Sequence, residues 1–229
     1  MLRAKLIAAV AALAAAAAVP VAAASAAQAA SAAVPVLTLN ALGGPPANPG
    51  DLLAASLLPG SYLQLTTAPG SSTGLICRQS TWQGQLLSNP AVPGPAVIRV
   101  LAPFTIALCT DSNPTVTGVT SVAVGGLPEI LQINGASPFP IQLLPSGPPL
   151  TITANLTTTA GPVACVYQAA GPIVGNTALG SAPLVFANQP FNLVSGPLPP
   201  CGTTPRDYFS AQYYPLLDTT AGNAPVYVN

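Results

Sequence analysis

Chemistry in this chain has to be done by very few side chains. Beyond position 30 the 229-residue sequence has no histidine and no lysine, and its charged groups are Arg78, Arg99 and Arg206 against Asp51, Asp111, Glu129, Asp207 and Asp218, a formal charge of −2. Without an imidazole or an amine, the Ser-His-Asp triad, the Cys-His pair, the Ser-Lys dyad, Schiff-base catalysis and histidine-ligated metal sites are excluded together. Carboxylates remain. A glycosidase needs two of them about 5 to 10 Å apart across the scissile bond. Here the five are scattered along the sequence, with Asp207 and Asp218 the nearest pair, and ordinary surface placement accounts for them. A carboxylate-dependent hydrolase is therefore the weakest functional reading, and no catalytic residue or cofactor is assigned.

The remaining motifs are thin. Asp111-Ser112-Asn113 offers three oxygen-bearing side chains, short of the six to eight oxygens that calcium takes. Followed by Pro114, it reads as a turn, and no metal site is assigned. No glycine loop with a lysine is present to cradle phosphate. Three arginines lay down no basic footprint, which excludes nucleic acid as a partner. Trp82, Tyr208, Tyr213 and Tyr214 are candidates for a ligand face that would take sugars or other ring compounds. The competing reading is that these rings pack beside the cysteines and fill the core.

Cys77, Cys109, Cys165 and Cys201 are even in number and form no Cys-x-x-Cys pair. Zinc would lack close ligands and a thiolate nucleophile would lack a base, so disulfides are expected. Four cysteines permit three connectivities. An internal repeat favours Cys77 with Cys109 and Cys165 with Cys201. Tyr62-Leu-Gln-Leu-Thr-Thr-Ala-Pro-Gly leads to Cys77 as Ala154-Asn-Leu-Thr-Thr-Thr-Ala-Gly-Pro leads to Cys165, and Pro103-Phe104 and Pro190-Phe191 follow in step. The separations between equivalent first cysteines, phenylalanines and second cysteines are 88, 87 and 92 residues. A period near 90 is the size of one small β-sandwich domain. Each bridge would close a loop of about 32 to 37 residues, worth about 3 to 4 kcal/mol in the chain-entropy picture.

The elements that must position these residues read as strands. Val34–Leu39, Ala96–Leu101, Phe104–Leu108, Thr115–Val124, Leu150–Leu156, Leu184–Asn188 and Val226–Val228 are short, β-branched and partly alternating, and nearly all are bounded by Pro or Gly. With 28 prolines spread through the chain few windows are left for a long helix; Asp51–Leu58 alone suggests a helical turn or two. Pro and Gly together are about 21% of the sequence, below the share that signals low complexity, and mean hydropathy is high, so a folded core is expected. The fold class expected is all-β: a disulfide-linked β-sandwich, as two similar immunoglobulin-like units or one duplicated sandwich. Residues 31–50 read as an N-terminal strand and linker, 51–127 as the first β unit and 128–229 as the second.

Residues 1–30 have the layout of a secretory signal peptide: a cationic start with Arg3 and Lys5, an apolar run from Leu6 to Val19 broken by Pro20, then small residues, with cleavage expected between 24 and 33. The run is too short for a retained transmembrane helix, so no membrane span is expected in the mature chain. A secreted or envelope location agrees with the even cysteine count.

The leader, the Thr/Ala/Pro/Gly-rich strands, the cysteine pairs and the final segment Cys201…Tyr208…Ala211-Gln-Tyr213…Ala221-Gly-Asn-Ala-Pro-Val-Tyr-Val resemble exported proteins of GC-rich, actinomycete-type bacteria. That resemblance implies secretion and immunoglobulin-like sandwiches, and no activity. A fainter likeness, on Asp218-Thr-Thr-Ala-Gly-Asn-Ala-Pro and the lack of histidine, is to the neocarzinostatin family of chromophore-carrying β-sandwiches. This chain is nearly twice as long and its cysteines are spaced for wider loops. The functional expectation is an exported, non-enzymatic protein that meets a protein or glycan at the cell surface, with a small-ligand or glycan-binding module as the alternative.

Overall fold

A computed structural model describes residues 33–229, which form one compact unit; the expected signal peptide, 1–30, lies outside the described residues. The chain is all-β. Fourteen strands run in the order β1 (Leu37–Leu39), β2 (Leu52–Leu57), β3 (Leu63–Thr66), β4 (Gly74–Ser88), β5 (Pro95–Asp111), β6 (Val116–Gly125), β7 (Glu129–Asn134), β8 (Pro140–Pro145), β9 (Thr151–Thr158), β10 (Gly161–Ala169), β11 (Ile173–Asn176), β12 (Leu184–Ser195), β13 (Arg206–Asp218) and β14 (Ala224–Val228). No helix among the described residues is long and apolar enough to cross a membrane.

All pairings are antiparallel, and they close on themselves twice. One circuit runs β2, β4, β5, β7, β8, β11, β12, β13 and back to β2. The other runs β3, β4, β5, β6, β9, β10, β12, β13 and back to β3. The long strands β4, β5, β12 and β13 belong to both. The register shift opposite Leu101 and Thr105 of β5 and the one between Phe186 and Gln189 of β12 mark where these two strands pass from one circuit to the other, as bulges bend a strand to serve two pairings. The hydrogen bonding forms one connected sheet and does not by itself mark out two face-packed sheets or two repeated units. The 127/128 boundary between the expected units coincides with no gap in pairing, since β5 pairs β7 and β6 pairs β9.

Side-chain parity is preserved around both circuits. In the first, Leu53, Trp82, Leu86, Ile98, Leu131, Ile141 and Phe186 point inward; in the second, Leu65, Leu75, Ile152, Leu156, Tyr167 and Phe191 do so, and all are buried. Where the circuits meet, the Tyr213 ring makes edge contacts with Trp82, Phe104 and Phe186 at centroid separations of 6.2 to 6.5 Å, and its hydroxyl is 3.0 Å from Ser80 Oγ. The apolar cavity left there is only about 40 Å³.

Three expectations are corrected. Asp51–Leu58 carries helix-favouring Leu and Ala, yet Leu52–Leu57 is a strand because Leu53, Ala55 and Leu57 alternate inward between β4 and β13; burial of that face outweighs local propensity. Residues 31–50 are not a linker where they are described. Val36 and Leu37 are fully buried and β1 pairs β14. The Asn89 amide accepts from Leu37 N–H and donates to the carbonyls of Leu37 and Ala47 at 2.7 to 2.8 Å. The strand there is also shorter than the run Val34–Leu39 suggests.

The bridges join Cys77 to Cys109 across neighbouring β4 and β5, with Cα atoms 4.0 Å apart, and Cys165 of β10 to Cys201 in the turn after β12, at 5.4 Å. In the second, a Cβ on Gly196 would stand 2.5 Å from the Cys201 sulfur, and the residue has φ +124°, so only glycine fits.

Asn89→Ala removes three hydrogen bonds and leaves backbone groups of β1 without partners. A loss of about 2 kcal/mol is expected, with amide exchange accelerated over residues 35–47 ahead of the rest. Unchanged protection there would show that burial of Val36 and Leu37 alone holds the segment.

Candidate functional site

The site is built where the second circuit ends. Asp111 is the last residue of β5 and lies opposite inward-facing Leu75. Asp207 is the second residue of β13 and lies opposite fully buried Phe191. Both therefore take the inward parity, and both line a cavity of about 240 Å³ together with Tyr167. Leu65, Leu75, Pro199 and Pro200 give the wall its apolar part, Thr67, Asn113 and Thr115 its polar part, and the exposed residues Thr73, Pro114 and Thr203 form its rim.

The Cys165–Cys201 bridge holds the rim in place. Tyr167, two residues beyond Cys165 on β10, donates its hydroxyl to the Cys201 carbonyl at 3.0 Å, so the turn 197–205 is tied to β10 both covalently and by a hydrogen bond. On the opposite side Asp111 accepts from the Asn113 backbone N–H at 2.8 Å, and Asn113 Oδ1 accepts from Thr115 N–H and hydroxyl. The Asp-Ser-Asn segment is thus a turn that orients Asp111.

Asp207 is only 3% exposed, and its Oδ1 has no hydrogen-bond partner. Burial, and secondarily the neighbouring Asp111 carboxylate, push its carboxyl up to about 7. Burial also raises Asp111, opposed by the Asn113 amide. The Tyr167 hydroxyl is raised by burial and by both acids. A carboxyl pushed up to about 7 beside a second acid is equipment for acid–base chemistry, and equally a seat for a cation.

Two more acids are buried elsewhere. Glu129, 1% exposed, accepts from Ser146 N–H through Oε2 while Oε1 is unpartnered. Asp218, fully buried, accepts from Ala221 N–H through Oδ1, and burial together with the Asp51 carboxyl raises it. Surface placement of the acids is thereby corrected. Strand phase was the available signal: Asp207 alternates with Phe209, Ala211 and Tyr213, and Glu129 with Leu131 and Ile133.

The four aromatic residues expected to form one ligand face do not. Trp82 and Tyr213, 4% and 2% exposed, lie in the core. Tyr208 and Tyr214 stand on the other face of β13 and are half-buried. An odd spacing on one strand separates Tyr208 from Tyr213. Cys77 and Cys109 lie inside the circuit that holds the site; Cys165 and Cys201 position its rim.

The raised acids set the sign of the pH dependence. A carboxyl that holds its proton more tightly when folded than when unfolded opposes folding above its folded pKa, and the penalty is relieved as pH falls toward the unfolded value near 4. Asp111, Glu129, Asp207 and Asp218 all shift in this direction. Stability in urea should rise from pH 8 to pH 5, with Asp207 alone contributing up to about 1.4 kcal/mol per pH unit below 7. Asp207→Asn should be more stable than the parent at pH 8 and flatten the slope. A parent whose unfolding midpoint is independent of pH, or falls with acidity over this range, would contradict the assignment.

Compared with protein-family models, with curated proteins and with solved structures, the chain shows no match.

Proposed function

We propose that the protein is exported and non-enzymatic, and that it works at the cell surface or in the envelope through contacts with a protein or glycan. The observation that carries this reading is the distribution of polar groups. Four of the five carboxyls past residue 30 take inward positions, whereas outward strand positions carry uncharged donors and acceptors, among them Gln79, Thr81, Gln83, Thr105, Thr117, Thr120 and Ser121. Several bond to one another across strands: Thr81 to Thr105, Thr120 to Thr157 and Asn155 to Ser121. The exposed charges on these faces are Arg78, Arg99 and Arg206. A surface with so little charge favours association over solvation, and it can meet neutral hydrogen-bonding partners without desolvating ions. The leader-like start and the two disulfides support an extracytoplasmic setting.

A second reading, carboxylate-dependent hydrolysis, is favoured by one observation: Asp111 and Asp207 share a cavity. A panel of aryl glycosides at pH 5 to 7 checks it, since turnover lost in both Asp111→Asn and Asp207→Asn is expected if it holds, and no turnover in the parent ends it.

The contact reading is checked by incubating purified residues 33–229 with envelope and cytosolic fractions. Retention by an envelope fraction, little altered between low and high salt because few charges take part, is expected. A chain that stays monomeric and free in every fraction would overturn it.

A further inference from the structure

Three buried carboxyl oxygens lack partners: Glu129 Oε1, Asp218 Oδ2 and Asp207 Oδ1. Glu129 lines a smaller cavity with no second acid, and Asp218 faces another carboxyl, Asp51, close beside it. At Asp207 a cavity, a second acid and a glycine coincide. A Cβ on Gly202 would stand 3.2 Å from Asp207 Oδ1, tighter than ordinary contact, and 3.4 Å from Oδ2, and the residue has φ +114°. A side chain at this position would crowd the carboxylate, and glycine brings none.

We propose that the cavity lined by Asp111, Asp207 and Tyr167 binds a small alkylammonium ion. This goes beyond the surface-contact reading and does not depend on it. The charge requires a cation. Asp111 is the one charged group acting on Asp207, and no arginine offsets the pair; Arg206, its neighbour in sequence, is on the outer face and exposed. Anions are repelled. The lining favours an apolar body, because most of its surface is apolar, from Leu65, Leu75, Pro199 and Pro200, although Thr67, Asn113 and Thr115 also reach it. A hard metal ion would need six or more oxygens, and among the described residues no three acidic, cysteine or histidine side chains gather to hold one. The size requires a short ligand, since 240 Å³ is below the roughly 300 to 1,000 Å³ of drug-sized sites. An ammonium in this cavity answers the negative charge of the Asp207 carboxylate, and the second acid shares it.

Titration calorimetry and amide chemical-shift mapping with n-butylammonium chloride, n-butanol, methyl glucoside and calcium chloride test the site. Saturable binding of n-butylammonium at pH 8.5, with shifts centred on Thr73, Asn113, Gly202 and Thr203, is expected, and n-butanol should not compete. Because Asp207 must release its proton, affinity should fall about thirtyfold between its plateau and pH 5.5. Asp207→Asn should weaken binding more than tenfold while keeping the fold, since the change is isosteric and removes a buried charge. Asp111→Asn should weaken it less. No saturable binding of n-butylammonium, equal binding of n-butanol or the glucoside, displacement by calcium, or an unchanged affinity in Asp207→Asn would each overturn the proposal.

Discussion

Closure of the sheet is the constraint on which the rest depends. Where strands pair around a complete circuit, the parity of one strand fixes that of the next, and the last must agree with the first. A slip of one residue anywhere would turn a whole set of side chains outward. Both circuits satisfy this rule. Leu53 faces Gly84, Gly84 faces Val100, Val100 faces Glu129, and on the returning side Asp218 faces Leu53. Closure also removes the need to protect edges. Sheets usually blunt a free edge with lysine and other charges, and this chain has no lysine beyond position 30 and few charges of any kind.

The same constraint explains why the site sits where it does. Four strands serve both circuits, so they change partners near the middle and their ends reach the mouths. Near the middle there is room for little beyond the Tyr213 ring and its neighbours. At the end of the second circuit the strands of the wall stop, and the turn 197–205 and the segment after β5 supply the boundary in their place. Such a boundary needs holding, and the Cys165–Cys201 bridge and the Tyr167 hydroxyl hold it. The first bridge lies wholly between neighbouring strands that already share a long ladder, so its contribution is to the chain's unfolded state more than to the shape of the site.

Much of the architecture was readable from short-range pattern. β-branched alternation in Thr151–Thr158 and the Pro and Gly boundaries point to strands without reference to any contact. The spacing of the cysteines pointed to the pairing found, although the two bridges occupy different settings. What could not be read locally was anything set by a partner strand. Leu52–Leu57 has a helical composition and becomes a strand only because β4 and β13 stand on either side. The convergence of Asp111 and Asp207 joins residues nearly a hundred positions apart through Leu75, Leu65 and Phe209, a path that exists only once β3 is placed between β4 and β13. The aromatic residues do not form one face for a simpler reason: Tyr208, Tyr213 and Tyr214 are close in sequence but differ in strand phase.

An apolar interior is cheapest to build from apolar side chains, and a buried carboxylate without a partner costs several kcal/mol unless it takes up a proton. A chain with only five carboxyls past its leader-like segment had ample outward positions for them, yet placed Glu129, Asp207 and Asp218 almost wholly inside. Leucine or asparagine at these positions would have met the parity rule at less cost. Asp218 is accounted for in part by the turn it closes through Ala221, and Glu129 by its bond to Ser146. Asp207 closes no turn through Oδ1 and leaves that oxygen buried without a partner, beside a second acid, in a cavity whose rim is fastened by a disulfide. Selection for stability alone offers no reason to keep that arrangement, whereas selection for a cation that completes it does.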